Sequence, residues 1–481
     1  MTMIGRRGFL GLMGAAVALP QLVHAQGPVR RPPPSVASLI TQAKLADAEV
    51  SFLAVDLASG RIIDQRDADV LLPPASTLKI VTALYALDRL GADHRFATRV
   101  YLDGGRLILA GGGDPLLNTD GLAELAKSTA AAVKARGAQI TEFEVWGGAL
   151  PRMAELSPGQ AVHLPYNPSM SGMILNFNRV HLNWRRGDAG YQLNLTARAD
   201  KNAPRAFGIS ASVADRAAPI ATYDGSGRSE VWSMAGQSLG KSGSRWLPVR
   251  RPELYAGDVF QTLCRAEGLV LPTPSVADGA PAGAEIARKD SPDLRTILRG
   301  LLAYSNNLTA EAVGVVASGA ASLTQSAQDM LRWAQGHGVT EGAVFADHSG
   351  LSGDSRISAR MLTTLLTGTG QQFGLRDILK VDPLAQVLGK GEIGQHVHAK
   401  TGTLNFVSNL SGFADAETGT VAFTIFSADN TRRTATQGQD LPPGVLAWTG
   451  RSKLMQRDLI ERWVRLDGVT VAADFTNDTR G

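Results

Sequence analysis

Ser76 and Lys79 stand three residues apart in LLPPASTLKIVTAL (71–84), where two prolines give way to an apolar run. In a helix, positions i and i+3 lie on one face. Pro73 and Pro74 hold the preceding backbone extended, which predicts Ser76 at a helix N-terminus, where backbone N–H groups favour developing negative charge. A lysine beside it, desolvated and near other cations, is able to give up its proton and act as base for a serine nucleophile. The same spacing also describes a capping serine and a lysine stretching to solvent. These two residues alone leave both readings open.

Two later stretches supply more polar chemistry. Ser305-Asn306-Asn307 precedes the helical LTAEAVGVVA, and Lys400-Thr401-Gly402-Thr403 lies near the end of a predicted strand. The order Ser-x-x-Lys, Ser-x-Asn, Lys-Thr-Gly is that of penicillin-binding proteins and related β-lactamases. Residues 80 to 304 separate the first two motifs, more than a compact β-lactamase needs. With LILAGGGDPLL (107–117), ILNFNRV (174–180) and DHSGLSGDSRIS (347–358), the chain resembles the class C low-molecular-mass penicillin-binding proteins. These are the D-alanyl-D-alanine carboxypeptidase/endopeptidase family (peptidase family S13).

That resemblance implies a periplasmic serine DD-peptidase without a cofactor or metal. Its substrates would be peptidoglycan stem peptides and D-Ala–meso-diaminopimelate cross-links, and β-lactams would acylate it. Ser76 would form the acyl-enzyme and Lys79 would take its proton. Ser305 would relay a proton to the leaving amine, and Asn307 would bind substrate backbone and the lysine. Lys400 would attract the substrate carboxylate and depress the pKa of Lys79. Thr401 and Thr403 would offer hydroxyls to that carboxylate, and Gly402 would let substrate approach the strand edge as an added strand. The backbone N–H groups of Ser76 and Thr403 would form the oxyanion hole. Asn306 stands where the family commonly has Asp, and His348 where it commonly has Gly. The latter is expected at the cleft edge.

The elements that must position these residues are legible in outline. VSFLAVDLASGRIIDQRDAD (50–69) reads as strand, turn and strand, and TLKIVTALYALDRLG as a helix with Ile80, Val81, Leu84, Leu87 and Leu90 as its apolar stripe. FATRVYLDGGRLILAGGGDPLL (96–117) reads as a hairpin ending in a sharp glycine loop. A helix over 119–137 is expected to be capped by Thr119 or Asp120. Short strands fill roughly 140 to 285, helices follow to about 370, and the chain closes with strands and a last helix. The fold class is therefore α+β: a penicillin-recognising, β-lactamase-like domain, an antiparallel sheet flanked by helices, split by a large β-rich insertion. The expected divisions are a signal peptide at 1–25, a linker at 26–35, a catalytic domain at 36–92 and 286–475, and an insertion at 93–285 with a nested β-rich subdomain around 182–240.

The 481 residues, 44% hydrophobic with a net charge of +4, suffice for more than one compact unit. No Lys/Arg stripe interleaved with aromatics points to nucleic acid. MTMIGRRGFLGLMGAAVALPQLVHAQ has a basic start, an apolar stretch too short to span a bilayer, and small residues before a cleavage site near Ala25. RRGFLG fits the twin-arginine route as well as ordinary secretion. Membrane association is expected to be peripheral at most. Cys264, the one cysteine, sits at helical spacing with Val259, Phe260 and Leu263 and reads as a buried structural thiol.

Three rival readings compete with this one. A β-lactamase of the kind that deacylates through Glu-x-x-Leu-Asn finds no such loop, because Glu311, Glu341 and Glu392 between Asn307 and Lys400 do not begin it. A metallopeptidase would build on His396 and His398, expected on one strand face with Lys400, but has no third ligand cluster. A non-catalytic peptidoglycan-binding scaffold would have no need of all three motifs.

Overall fold

The computed structural model describes residues 33–45, 48–389, 393–417 and 419–467. The expected signal peptide, most of the linker and the end of the last expected segment lie outside these residues.

A six-stranded antiparallel sheet carries the Lys-Thr-Gly motif. Its order is Lys380–Val381, Val397–Leu404, Val407–Asp415, Thr420–Ala428, Glu49–Asp56 and Ile62–Arg66. The strands Val407–Asp415 and Thr420–Ala428 are buried along nearly their whole length, as strands covered on both faces must be. Glu49–Asp56 shows how one strand serves two cores. Phe52 and Ala54 join Trp448, Leu459 and Trp463 of the helix Val445–Asp467 on one face. Leu53 and Val55 join Leu78, Val81 and Leu84 on the other, because successive side chains point to opposite faces of a strand.

The helix Leu78–Leu90 lies beneath the second face. Every residue from Leu78 to Leu87 is buried, including Lys79 and Thr82. The single apolar stripe expected for it is therefore a correction: the helix is enclosed all round, as the continuous apolar composition of its middle permits. Its polar members are bonded inside, Thr82 Oγ1 donating to the His348 carbonyl at 2.6 Å.

Between residues 97 and 290 the chain forms three further sheets. A five-stranded sheet has the order Ser275–Val276, Glu142–Trp146, Arg106–Ala110, Ala97–Asp103 and Ala284–Asp290. Two three-stranded sheets come from Arg179–Thr196 with Ser242–Pro248, and from Ile209–Ala235. Strand Ala284–Asp290 is paired to Ala97–Asp103, so the expected boundary at residue 286 falls inside a strand and the crossover back comes after Asp290. The helix Thr119–Arg136 is capped by neither Thr119 nor Asp120: Asn118 accepts from the Gly121 amide. Asp120 instead gathers the amides of Asp200, Lys201 and Asn202. Cys264 is fully buried, and burial pushes its thiol up to about 12, which leaves it inert.

Candidate active site

Ser76 is set by a turn that several elements hold. Pro73 and Pro74 have no N–H, and their carbonyls accept from Asn409 Nδ2 at 2.8 and 2.9 Å. Ala75 follows with φ +47°, left-handed backbone that costs a residue with a side chain roughly 1–3 kcal/mol. Two glycines make room for this turn. A Cβ on Gly350 would collide with the Ala75 carbonyl, and one on Gly402 would lie 2.7 Å from the Pro74 carbonyl and 3.2 Å from the Ser76 nitrogen. Gly402 was expected to give room to substrate. The approach it demonstrably permits is that of the chain's own Ser76 turn to the strand Val397–Leu404. Adding one methyl group there, in Gly402→Ala, is expected to displace the turn and slow acylation by benzylpenicillin about 10²-fold, measured by stopped-flow or quenched labelling.

The capping alternative for Ser76 and Lys79 is absent. Ala75–Thr77 is a 3-10 turn leading into the helix, with no side-chain cap, and Lys79 has no solvent exposure. Lys79 Nζ lies 2.9 Å from Ser76 Oγ, 2.9 Å from Asn307 Oδ1 and 2.6 Å from the Ser349 carbonyl. Asn307 Nδ2 donates to the Tyr166 carbonyl at 3.2 Å, which fixes the amide so that its oxygen faces the lysine. Two of the three positions around Nζ are thus taken by groups that only accept. A neutral lysine must aim its two N–H bonds at them, and its lone pair then faces the Ser76 hydroxyl.

Burial lowers the Lys79 amine to about 8, against the pull of Asp347 and then Glu311, which raise it. Lys400 was expected to depress Lys79; the leading cause is burial instead. Lys400 is itself 2% exposed, its amine held well below the usual lysine range by burial and then by the charges of Lys79 and Lys380. Its Nζ donates to the Thr401 carbonyl at 2.7 Å. Ser305 is the left-handed C-cap of the helix Leu294–Tyr304 and lines one cavity with Lys400 and Thr401. Thr403 is exposed. Beyond Ala399 the strand Val397–Leu404 has, among the described residues, a neighbour on one side only, so an edge at Thr401–Thr403 is open to an extended peptide.

Two residues escaped the sequence reading as parts of this site. Glu311 follows Asn307 by four positions on the helix Asn307–Ser318 and is fully buried, accepting from the amides of His348 and Ser349 at 2.9 and 3.0 Å. Asp347 accepts from the amides of Gly350 and Ser352. Together they hold the loop whose Ser349 carbonyl grips Lys79. Burial raises both carboxyls, Glu311 to about 8. The signal for Glu311 was its i+4 spacing from Asn307 inside an apolar helix. Glu311→Gln removes a carboxyl that, when ionised, raises the Lys79 amine. The acid limb of the acylation pH profile is therefore expected to move down by about one pH unit, a shift that loss of folded protein alone does not produce.

The two expected departures resolve differently. Asn306 is the N-cap of the helix, accepting from the Thr309 amide at 2.9 Å, a task Asp performs equally well. His348 is not at the cleft edge. Its ring is fully buried against Tyr85, with Nε2 2.7 Å from Ser326 Oγ, beneath Gly314, where a Cβ would collide with it. Burial lowers it to about 3, so it stays neutral. His396 belongs to the turn Ile393–His396, one residue before the strand that carries His398, and the two do not share a strand face. Among the described residues no three His, Cys, Asp or Glu side chains gather as a metal site requires.

Comparison with known proteins shows the family and the fold. The chain is 27% identical over 460 residues to a D-alanyl-D-alanine carboxypeptidase of an Actinomadura species, covering 86% of this chain and 84% of that one. It is 29% identical over 404 residues to a carboxypeptidase of Mycobacterium tuberculosis, covering 78% and 76%. Its fold matches penicillin binding protein 4 of Haemophilus influenzae with a TM-score of 0.69 at 20% identity, over 88% of this chain and 99% of that one. The model of the D-Ala-D-Ala carboxypeptidase 3 (S13) family matches residues 34–442, and the chain belongs to that family.

Proposed function

We propose that this protein is a serine DD-peptidase acting on peptidoglycan stem peptides through an acyl-enzyme on Ser76. The observation that carries the assignment is the Lys79 amine, buried and lowered, with its free position turned to Ser76 Oγ. Lys79 takes the Ser76 proton as Oγ attacks the carbonyl of the penultimate D-alanine. The amides of Ser76 and Thr403 hold the resulting oxyanion. Ser305 passes a proton to the leaving amine while Lys400, Thr401 and Thr403 hold the carboxylate beside it. Water then releases the acyl group and restores the Ser76 hydroxyl.

The substrate lies in the cell wall, so the protein acts after export, and residues 1–25 are proposed as the removable leader to the periplasm. Among the described residues no helix is long and apolar enough to cross a membrane. Both D-alanyl-D-alanine ends and D-alanyl–diaminopimelate cross-links present the same scissile geometry, a D-alanyl carbonyl followed by a D-centre carrying a carboxylate. The experiment is release of D-alanine from an N-acylated stem pentapeptide, and of monomers from cross-linked muropeptides, by purified protein. Loss of both products overturns the assignment.

Benzylpenicillin should acylate Ser76 and leave slowly. Glu311, a turn beyond Asn307, has its carboxylate committed to the amides of His348 and Ser349 and is not free to activate a water. Rapid turnover of benzylpenicillin would favour the β-lactamase-like alternative.

A further inference from the structure

A cavity of about 160 Å³ adjoins the proposed site. It opens between the end of the helix Leu294–Tyr304, the strands Lys380–Val381 and Val397–Leu404, and the helix Val445–Asp467. Three lysines, Lys380, Lys400 and Lys453, line it, and among the described residues none of those lining it is Asp or Glu. Lys400 is almost fully buried and Lys453 half-buried. Burial lowers the amines of both Lys400 and Lys453; the charges of Lys79 and Lys380 add to this at Lys400, and that of Lys380 at Lys453, so Lys380 acts on both. Gathering like charges in a partly desolvated pocket is unfavourable without a counter-charge. Such a pocket is completed by an anion.

The position of the cavity says which part of a substrate reaches it. Ser305, Lys400 and Thr401 line it, and Ser76 and Lys79 do not. It therefore begins where the leaving amine and its neighbouring carboxylate are held and runs away from the nucleophile. Lys380 stands opposite Ala399 on the neighbouring strand, and Lys453 comes from the helix Val445–Asp467. Lone D-alanine has one carboxylate, which Lys400 and the threonines already take. A leaving stem peptide from a cross-link brings more.

Resting on the serine DD-peptidase reading above, we propose that Lys380 and Lys453 bind a second carboxylate in the leaving part of the substrate, so that acidic leaving segments are preferred over a lone D-alanine. Tyr304, 87% exposed at the rim, offers a face for the aliphatic part of such a segment.

The test uses two peptides with one acyl donor, ending in D-Ala-D-Glu and D-Ala-D-Gln. They have the same shape and differ in one charge. Wild-type protein is expected to cleave the D-Glu peptide with a kcat/KM about tenfold higher. The preference should fall to near unity in Lys380→Met/Lys453→Met and persist in Lys380→Arg. Equal kcat/KM for the two peptides in the wild type overturns the inference, and needs no variant to fold. A preference that survives unchanged in the double variant also overturns it. Penicillin trapping of the same wild-type sample separates the two levels. A protein that takes penicillin yet ignores the charge refutes this inference alone, whereas one that takes none and cleaves neither peptide refutes the serine peptidase reading and this inference with it.

Discussion

Ser76→Ala is expected to lower kcat/KM for D-alanine release by on the order of 10⁴-fold or more, with the melting temperature within a few degrees of the wild type. The methyl group of alanine fits where the serine Cβ stands, and Ser76 Oγ has Lys79 Nζ as its partner at 2.9 Å. Removing that oxygen frees one Lys79 position and leaves the bonds to Asn307 and the Ser349 carbonyl in place. The loss is therefore of chemistry and not of fold. Steady-state hydrolysis of a stem pentapeptide, with a thermal melt of the same sample, checks both halves. Residual activity within a few tenfold of wild type would mean that another group attacks the substrate.

Lys79→Met should have an effect of similar order on acylation, about 10³-fold or more. Methionine matches the length of the stem in an apolar enclosure but cannot accept a proton. Wild-type acylation should also depend on pH in a defined direction. Only the neutral amine is a base, and burial places its titration at about 8. As pH rises through that value the neutral fraction grows, so the rate constant for acylation should rise from pH 6 towards pH 9 and then level off. Because Glu311 and Asp347 share the enclosure with Lys79, the midpoint belongs to the cluster. Loss of this acid limb in Lys79→Met, with only slow residual labelling, is the expected result. An unchanged limb would assign the base elsewhere.

The sequence carried the chemistry of this site further than its construction. Ser76, Lys79, Ser305, Asn307 and the Lys400–Thr403 stretch were legible because their types recur in a fixed order, and a helix, a loop and a strand could be read around them. What brings them together was not legible. Asn409 reaches the two proline carbonyls across more than 300 residues of chain, and no local pattern announces that contact. Glu311 and Asp347 act on Lys79 through the backbone of a loop. Their role depends on which amides face them, something periodicity does not encode. His348 was expected at the cleft edge because it stands where the resembled family commonly has Gly, yet the smallness of Gly314 leaves room for its ring inside. The helix Leu78–Leu90 shows the same limit: an apolar stripe can be counted, but enclosure of the opposite face depends on what packs there.

The sheets were easier. Residues 50–69 read as strand, turn and strand, and the structure pairs Glu49–Asp56 with Ile62–Arg66. The pairing of Glu49–Asp56 with Thr420–Ala428 joins the two ends of the chain across the insertion. Ser76 from the first segment and Lys400 from the second are thus carried into one cleft.

The proposed mechanism turns on Ser76 as the nucleophile. Incubating the protein with benzylpenicillin, then measuring intact mass and mapping the modified peptide, tests it most directly. The expected result is one penicilloyl group per chain, on Ser76, persisting through rapid gel filtration and absent from Ser76→Ala. No adduct on folded wild-type protein, or an adduct on any other residue, would contradict it.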